Sequence, residues 1–479
     1  MSDPASVGAR RATSDILIQI VARVLNLALG VVVTAVIVRE LGSVQFGQWS
    51  TLLVVTTLAG YLTDLGLEGV AVQRAAANPD REPDWLGALL SLRLVIAVPV
   101  TLLSGAVAIA LAQNHRMLIA GLVISAAILV GTAGTLQVVF QLRVRNDISV
   151  AIMTVNSVLW GISVLAIAAL GGGMVAFSVA FLAVACVTSA LQIGLALRRS
   201  SVRLLGSRAL WPELIRVGVP VAIGGILINA YARIDQIIVF EAAGAHQAGL
   251  YGAVYRVLDQ AHFVPISIMT TLFPIISVAF ARDRSRVNRL LQQTSDYLAM
   301  ASLGALAFAI VDARPLVVFL FGNSFASAAP ALPILMAAFV LISFGYLVGS
   351  MVLILRLQRR FIRYAIAALV FNVALNLALV PPFGFLAAAW ITLATEVLVF
   401  GLTLRVVLRA LEFRPSLLRI ARATLAAALL GIALWVVEQI GGGLLADVAV
   451  AAICYPALLV ALRALRLREL RAILRDKPL

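Results

Sequence analysis

Residues 331–355 read ALPILMAAFVLISFGYLVGSMVLIL, and no charged side chain interrupts this stretch. A helix of roughly 20 apolar residues, rising 1.5 Å per residue, crosses the hydrocarbon core of a bilayer. The stretch therefore predicts a membrane-spanning helix. Similar apolar runs recur along almost the whole chain, so the number and the orientation of these runs decide the fold.

The composition of the 479-residue chain is typical of a membrane protein. Hydrophobic residues make up 62% and charged residues 12%, and the mean hydropathy is +1.05. A soluble domain is nearer half apolar and a quarter charged. The net charge of +15 would suggest nucleic acid as the partner of a soluble protein. Here the arginines lie at the ends of apolar runs, which predicts contact with lipid headgroups and no nucleic-acid partner.

The sequence predicts an all-α polytopic membrane protein of about fourteen transmembrane helices. Runs of 18 or more mostly apolar residues mark the spans. Breaks are expected at residues 78–79, 171–173, 381–382 and 441–443, where Asn-Pro, Gly-Gly-Gly and Pro-Pro sequences favour turns. The predicted spans are 15–38, 49–72, 86–111, 117–142, 148–170, 175–197, 214–240, 248–280, 290–311, 331–355, 362–380, 385–408, 417–437 and 444–462.

The distribution of basic residues supports this division into helices. With the N-terminus in the cytoplasm, about 29 of the 37 basic residues fall on the cytoplasmic side and about three outside, a bias that sets orientation. The external residues are Arg39, Arg116 and Arg314. A missed or extra helix would scramble the pattern downstream. We therefore expect an even number of helices, with both termini in the cytoplasm.

An internal repeat divides the predicted helices into two sets of six. Residues 40–49 read ELGSVQFGQW and residues 241–251 read EAAGAHQAGLY, so that Glu, Gly, Gln, Gly and an aromatic residue coincide with one insertion. Copies that run in the same direction imply two parallel lobes related by an axis along the membrane normal. The predicted domains are an N-terminal lobe at 1–200, a C-terminal lobe at 201–412, and two further helices with a basic tail at 413–479.

Polar side chains form stripes on predicted helices 1, 2, 7 and 8, which are corresponding pairs in the repeat. Charges at membrane depth are costly and normally face a bundle interior or a hydrated cavity. We therefore predict a hydrated cavity where the two lobes meet. The residues predicted to line it or to hold substrate are Arg23, Asn26, Arg93, Arg233 and Arg256, and the possible coupling or counter-ion carboxylates are Asp64, Glu68, Asp235, Asp259 and Glu396.

The four arginines give this predicted cavity permanent positive charges. Arginine binds phosphate oxygens in a bidentate fork, so an anionic headgroup, above all a diphosphate, is the expected guest. The carboxylates could carry a coupling proton or sodium ion. Structural roles stay open: Arg256 and Asp259 could neutralise each other at i and i+3, and Asp64 and Glu68 could pair with Arg93. Glu396 could bond across helices.

Short motifs occur in order along nearly the whole chain: RELGSVQFGQWS at 39–50, DLGL at 64–67, LYGAVYR at 250–256, TLFPIIS at 271–277, FGNSF at 321–325, NVALN at 372–376, PPFG at 381–384 and AAAWITLATE at 387–396. Together they resemble bacterial polysaccharide flippases, the polysaccharide-transporter branch of the multidrug/oligosaccharidyl-lipid/polysaccharide exporter superfamily. One departure is Leu386, where that family usually has a second glycine.

The resemblance implies two six-helix lobes with two extra C-terminal helices. It also implies a flippase that moves undecaprenyl-diphosphate-linked oligosaccharide across the bacterial inner membrane for polysaccharide export. The lipid-linked glycan and membrane lipids would be its partners, together with polysaccharide-assembly proteins. The sugar itself is not identified by the sequence.

Two other functions stay open. One is a cation-coupled multidrug or small-molecule antiporter of the same superfamily, which usually has twelve helices and an acidic cavity. The other is a membrane glycan polymerase or ligase, which would need acid and base residues on a substantial external loop. A Walker A motif is excluded because the only lysine is Lys477. We expect no cofactor, no metal site and no enzymatic activity.

Overall fold

A computed structural model describes the backbone of residues 4–143, 146–198, 208–411 and 415–465. Within these ranges, side chains are described except at 4–25, 27, 146, 221, 281–282 and 284–285. The described chain is almost entirely helical and contains no β-strand in these ranges. It divides into two compact units, Met1–Gly249 and Leu250–Leu479. The predicted lobe boundaries at 200 and 412 follow helix order, and that division stays a prediction.

The first unit is built from eight helices and the beginning of a ninth. Its core contains Leu67, Leu89 and Phe140, which are fully buried where α2, α3 and α5 pack together. The helices are α1 (Pro4–Asp64), α2 (Leu67–Ala77), α3 (Glu82–Leu111), α4 (His115–Gly131), α5 (Gln137–Leu142), α6 (Asn146–Ala169), α7 (Met174–Leu197), α8 (Trp211–Tyr231) and α9 (Ile234–Ala261).

The second unit begins within α9 and continues to the end of the described chain. Its main core packs α10, α11 and α13 through Ile276, Val287 and Met351. A separate small core joins α11 to α16 and α17. The remaining helices are α10 (Phe263–Arg282), α11 (Arg284–Val311), α12 (Ala313–Phe321), α13 (Ala331–Ile354), α14 (Gln358–Phe383), α15 (Phe385–Leu411), α16 (Leu418–Gln439) and α17 (Leu444–Ala461).

The number of membrane crossings agrees with the sequence prediction. Twelve segments of the described chain are long and apolar enough to span a membrane. Two of them, Ala28–Ala77 with 50 residues and Ala222–Phe280 with 59, are more than twice the length of roughly 20 residues that one crossing needs. Counting each as two crossings gives the fourteen predicted helices.

Each double-length segment turns at a glycine while the flanking backbone stays helical. Gly42 lies inside α1 with φ 63°, and Gly244 lies inside α9 with φ 88°. Residues with a Cβ rarely adopt this left-handed region, so glycine is the residue that lets the chain reverse here. These glycines occupy equivalent places in the sequence repeat, and the two predicted loops therefore share one backbone design.

The two turns of the repeat contact each other within the first unit. A Cβ atom on Gly47 would overlap the carbonyl oxygen of Ala245 and lie 2.7 Å from the Gly249 nitrogen. A Cβ on Gly249 would in turn overlap the carbonyl oxygen of Ser43. Ser43 and Ala245 precede their glycines by the same four residues, so the contact is reciprocal, as two-fold-related copies require. Ser43 Oγ also lies within hydrogen-bonding distance, 2.7 Å, of His246 Nδ1.

Two predicted boundaries differ from the structure. Pro381 and Pro382 do not end their helix but lie in the last turn of α14, which stops at Gly384 with φ 66°. Proline disrupts a helix because it lacks an N–H and clashes with the carbonyl of the preceding turn. In α14 the helix continues past both prolines, and Gly384, whose φ is positive, ends it. The predicted span 117–142 is also divided, because Thr132–Leu136 forms a 3-10 segment between α4 and α5.

The glycine contact yields a stability prediction. We expect Gly249→Ala to lower the free energy of unfolding by about 1–3 kcal/mol, because the added methyl group must displace backbone atoms. Gly60→Ala is the matched control: it lies in α1, and beyond the adjacent backbone of its own helix no atom lies within 4 Å of the place that an added methyl group would take. Alanine favours helix over glycine, so Gly60→Ala should be neutral or slightly stabilising. Thermal unfolding of the purified proteins measures both, and equal midpoints would contradict the close contact.

Candidate functional site

Helix breaks lie beside many of the predicted site residues. The backbone between α1 and α2 reverses at Leu65, φ 44°, and Gly66, φ 69°, with Asp64 before it and Glu68 after it. The break between α8 and α9 contains Arg233. Irregular backbone at membrane depth is tolerated only where protein or a hydrated cavity surrounds it. The charges therefore occupy positions at which the helices already depart from regular geometry.

Close helix packing fixes the first of these breaks. A Cβ atom on Gly66 would lie 2.7 Å from the carbonyl oxygen of Gly218 on α8. A Cβ on Gly218 would lie 2.9 Å from the carbonyl oxygen of Leu65. The two glycines let α8 approach the broken backbone directly, so the position of Asp64 and Glu68 is set by main-chain contact.

The guanidinium of Arg93 on α3 joins the two carboxylates. Its Nη1 lies 3.6 Å from Asp64 Oδ1 and 3.8 Å from Glu68 Oε2. The Arg93 side chain is only 12% exposed, whereas that of Asp64 is 43% exposed. These distances exceed the 2.7–2.9 Å typical of a charge-assisted hydrogen bond. Arg93 Nε is buried without a hydrogen-bond partner, so the guanidinium keeps donors that are not used by the carboxylates.

Two glutamines of α5 complete this cluster. Gln137 Nε2 donates to Glu68 Oε1 at 2.8 Å, and Gln141 Nε2 donates to the same oxygen at 3.2 Å. Neither glutamine is among the site residues predicted from the sequence. Their spacing of four residues places them on one helix face, which was the available signal. Glu68 is consequently held as a counter-ion with its two oxygens facing different partners.

On α1, Asn26 bonds to a neighbouring helix. Its Nδ2 donates to Thr154 Oγ1 of α6 at 3.4 Å, and the Thr154 hydroxyl donates to the Val150 carbonyl at 3.0 Å. The backbone of Arg23 belongs to the same helix, but its side chain lies outside the described residues. The predicted pairing of Arg23 and Asn26 on one polar face stays a prediction.

The break between α8 and α9 places Asp235 in a buried position. Asp235 Oδ1 accepts a hydrogen bond from the Gln236 backbone N–H at 2.8 Å. The Gln236 side chain donates to Ser50 Oγ at 3.1 Å and to the Ala248 carbonyl at 3.0 Å. Arg233 is half-buried and, like Asp235, makes further polar interactions. Asp235 is held inside protein, where it can serve as a counter-ion.

In the second unit, Arg256 and Asp259 form the predicted pair along α9. Arg256 Nη1 lies 3.8 Å from Asp259 Oδ2, and both side chains are partly buried. The geometry fits the neutralising role that the sequence left open. Both residues also make further polar interactions.

Glu396 is buried on α15 beside a chain of amide and hydroxyl groups. Asn372 Nδ2 of α14 donates to Thr395 Oγ1 at 3.1 Å, and Asn376 Nδ2 donates to Asn372 Oδ1 at 3.0 Å. Tyr251 and Thr392 bring their hydroxyl oxygens to 3.1 Å. The bond from Asn372 to Thr395 connects α14 with α15, and the role of Glu396 itself stays a prediction.

The site residues are thus divided between the two compact units. The structure brings Asp64, Glu68 and Arg93 together in the first unit and Arg256 and Asp259 together in the second. A shared cavity lined by both groups stays a prediction. Among the described residues, no group of three or more His, Cys, Asp or Glu side chains is placed to hold a metal ion.

The sequence of residues 12–280 matches the family described as polysaccharide biosynthesis protein, and this match spans more than half of the chain. The chain belongs to the polysaccharide biosynthesis protein family. The matched segment includes every predicted site residue except Glu396. No curated protein sequence matches the chain at a significant level.

Solved structures share the fold of this polysaccharide biosynthesis family member. A structure described as the lipid II flippase MurJ in an inward closed conformation matches with a TM-score of 0.76 and 12% identity, covering 92% of this chain and 98% of that one. An inward-facing multidrug resistance MATE transporter of the MOP superfamily matches with a TM-score of 0.63 and 17% identity, covering 81% and 94%. At these identities the likeness shows the fold alone: the chain has the helical architecture of these two proteins, in line with its twelve long apolar segments.

The Arg93 cluster yields a stability prediction for this family member. We expect Arg93→Gln to lower the free energy of unfolding by about 1–3 kcal/mol, because Glu68, whose side chain is 22% exposed, loses its cation. Arg74→Gln is the matched control. Arg74 is closer to its partner, 2.8 Å from Glu213, but the two side chains are 44% and 40% exposed. Its loss should cost below about 1 kcal/mol. Thermal unfolding that ranked the two variants in the opposite order would contradict this assignment.

Proposed function

We propose that this protein is a flippase that moves undecaprenyl-diphosphate-linked oligosaccharide across the inner membrane by alternating access. The observation that carries the proposal is the match to the polysaccharide biosynthesis family across residues 12–280. The fold shared with the MurJ structure, whose own description names lipid II, supports a substrate of the same general chemistry: a glycan on a lipid diphosphate.

The arginines supply the chemistry that such a headgroup needs. A diphosphate carries several negative oxygens, and arginine binds phosphate oxygens through paired N–H donors without losing its charge. Arg93 has a buried Nε with no hydrogen-bond partner, and its contacts to Asp64 and Glu68 are long. A diphosphate oxygen could therefore compete for this guanidinium. Arg23, Asn26, Arg233 and Arg256 are the further groups proposed to hold the headgroup.

The carboxylates are proposed to pair with these arginines when no substrate is bound. When the substrate leaves, Asp64, Glu68, Asp235 and Asp259 would neutralise the arginines and so limit the cost of empty charges at membrane depth. Asp64 is the most exposed of the Arg93 partners, which favours exchange with a coupling proton or sodium ion. Glu396, which is buried on α15, is the remaining candidate for such coupling.

The proposed location is the bacterial inner membrane, with both termini in the cytoplasm. The arginine bias between the predicted loops supports this orientation. Substrate would enter from the cytoplasmic leaflet, in which the lipid-linked units are built, and leave into the outer leaflet. Proteins of polysaccharide assembly are the proposed partners on either side.

Gene deletion tests the proposed transport. We expect undecaprenyl-linked oligosaccharide units to accumulate on the cytoplasmic face while surface polysaccharide disappears. Mass spectrometry of membrane lipids, with quantification of surface glycan, measures both. Unchanged glycan and unchanged lipid-linked intermediates, together with increased drug sensitivity, would favour the antiporter suggested by the MATE fold similarity.

A double variant separates substrate binding by Arg256 from simple neutralisation of Asp259. A hydrogen bond to a charged group is worth about 1.5–3 kcal/mol, so Arg256→Gln should reduce export roughly ten- to a hundredfold. If Arg256 binds diphosphate, the Arg256→Gln/Asp259→Asn double variant stays defective. If the pair is only structural, the double variant removes both charges and recovers export.

The control for this experiment is Arg360→Gln, because Arg360 is exposed near the start of α14 and carries the same charge. Membrane protein levels are compared by immunoblotting. Recovery of export in the double variant would remove Arg256 from the proposed site. Full export in single alanine variants of Arg23, Arg233 and Arg256 would overturn the proposed cavity as a whole.

A further inference from the structure

Two buried carboxyl groups meet at one end of the α16–α17 hairpin. Asp312 directly follows α11 and is 2% exposed, and Asp447 lies in the first turn of α17 and is 3% exposed. The two carboxyl groups lie close enough for the charge of one to act on the other. Both residues belong to the second unit, at the end that the arginine distribution assigns to the outer face.

This arrangement favours the binding of a proton. An ionised carboxylate only accepts hydrogen bonds, so two carboxyl groups can bond only when one of them is protonated. Asp312 Oδ2 and Asp447 Oδ1 are also shielded from solvent and have no hydrogen-bond partner. Ionising both groups would leave two like charges buried side by side, which is strongly unfavourable.

Among the described residues, the charged groups that act on Asp312 are Asp447 and Glu438, and both are acidic. Glu438, at the end of α16, adds a further negative charge near Asp312. Arg314, on the first turn of α12, is exposed. Burial, the charge and hydrogen bond of Asp447, and the charge of Glu438 together raise the pKa of Asp312 from 3.8 to about 7. Asp312 itself lies just beyond the spanning segment Arg286–Val311.

The opposite end of the hairpin is attached to α11 by permanent charges and amides. Arg419 Nη1 lies 3.3 Å from Asp296 Oδ2, whose side chain is fully buried. Gln292 of α11 donates to the Ser416 carbonyl at 2.9 Å and accepts from the Ser416 N–H at 2.7 Å. Midway, the Tyr455 hydroxyl donates to the Met300 carbonyl at 2.6 Å. Arginine stays charged across the physiological pH range, so this attachment is not lost when the pH rises.

We propose that Asp312 and Asp447 form a proton-binding site that fastens the outer end of the α16–α17 hairpin to α11. Loss of the shared proton releases this end, while Asp296 and Arg419 hold the other. The hairpin is then hinged at its cytoplasmic end and responds to the pH at the outer face. This role is independent of which substrate the protein transports.

The direction of the pH effect follows from the raised pKa. Between pH 3.8 and about 7 the docked hairpin holds a proton that a free carboxyl would have lost. The docked state therefore becomes less stable as the pH rises through this window, and the site loses its proton near pH 7.

Hydrogen–deuterium exchange of the full-length protein in lipid nanodiscs tests the proposal. After correction for intrinsic exchange rates, we expect exchange in residues 440–450 to increase several-fold between pH 6 and pH 8. Residues 417–422, at the other end of the hairpin, should not change. Asp447→Asn is the decisive variant, because its amide can donate to an ionised Asp312 without a shared proton, so its exchange should be independent of pH.

Two further variants keep the outcome clear. Glu438→Gln removes a like charge and should move the midpoint of the pH response to lower pH without abolishing the response. Arg419→Gln should increase exchange at residues 417–422 at every pH. Exchange in residues 440–450 that is independent of pH in the unmodified protein would overturn the proposal. A pH response in Asp447→Asn equal to that of the unmodified protein would also overturn it.

Discussion

The bilayer gives the backbone no partner for its N–H and C=O groups, and the rest of this structure depends on that constraint. A helix satisfies these groups within itself, so the described chain is built from helices, and each departure from helical geometry needs a local reason. Gly42 and Gly244 reverse the chain, and the backbone on either side of each glycine stays helical. The break at Leu65 and Gly66 is closed by contact with the backbone of α8.

The same constraint governs the charges, and the protein satisfies it in three different ways. Arg93 lies beside two carboxylates, and one of these, Glu68, also accepts hydrogen bonds from two glutamines. Asp296 is paired with an arginine from another helix. Asp312 and Asp447 are buried close to each other, so in the proposed site a proton neutralises one of the two carboxyl groups. The first arrangement can exchange partners, the second is permanent, and the third depends on the solution outside.

The sequence predicts the fold more completely than the site. Apolar run length decides how many helices cross the membrane, and that quantity needs no knowledge of neighbours. The repeat at residues 40–49 and 241–251 likewise predicts two equivalent turns, because glycine at φ above zero is a local requirement. The helix end at Gly384 instead of Pro381 shows that two turn-forming residues in sequence can compete, and that backbone conformation decides between them.

The contacts of the charged groups could be predicted only where they are local. Arg256 and Asp259 are one turn apart, and their spacing alone indicated a pair. Gln137 and Gln141 reach Glu68 through the packing of α5 beside α2, and Asp312 meets Asp447 across helices far apart in sequence. Such partners depend on tertiary packing, which no periodicity in one helix reveals.

The helical turns at Gly42 and Gly244 also determine where this protein can be labelled. Because their backbone stays hydrogen-bonded almost to the tip and the two turns touch through Gly47 and Gly249, an inserted epitope or reporter at either place would disrupt regular structure. The short connection at Gly441–Gly443, between α16 and α17, interrupts no helix. A probe placed there would leave the paired turns intact.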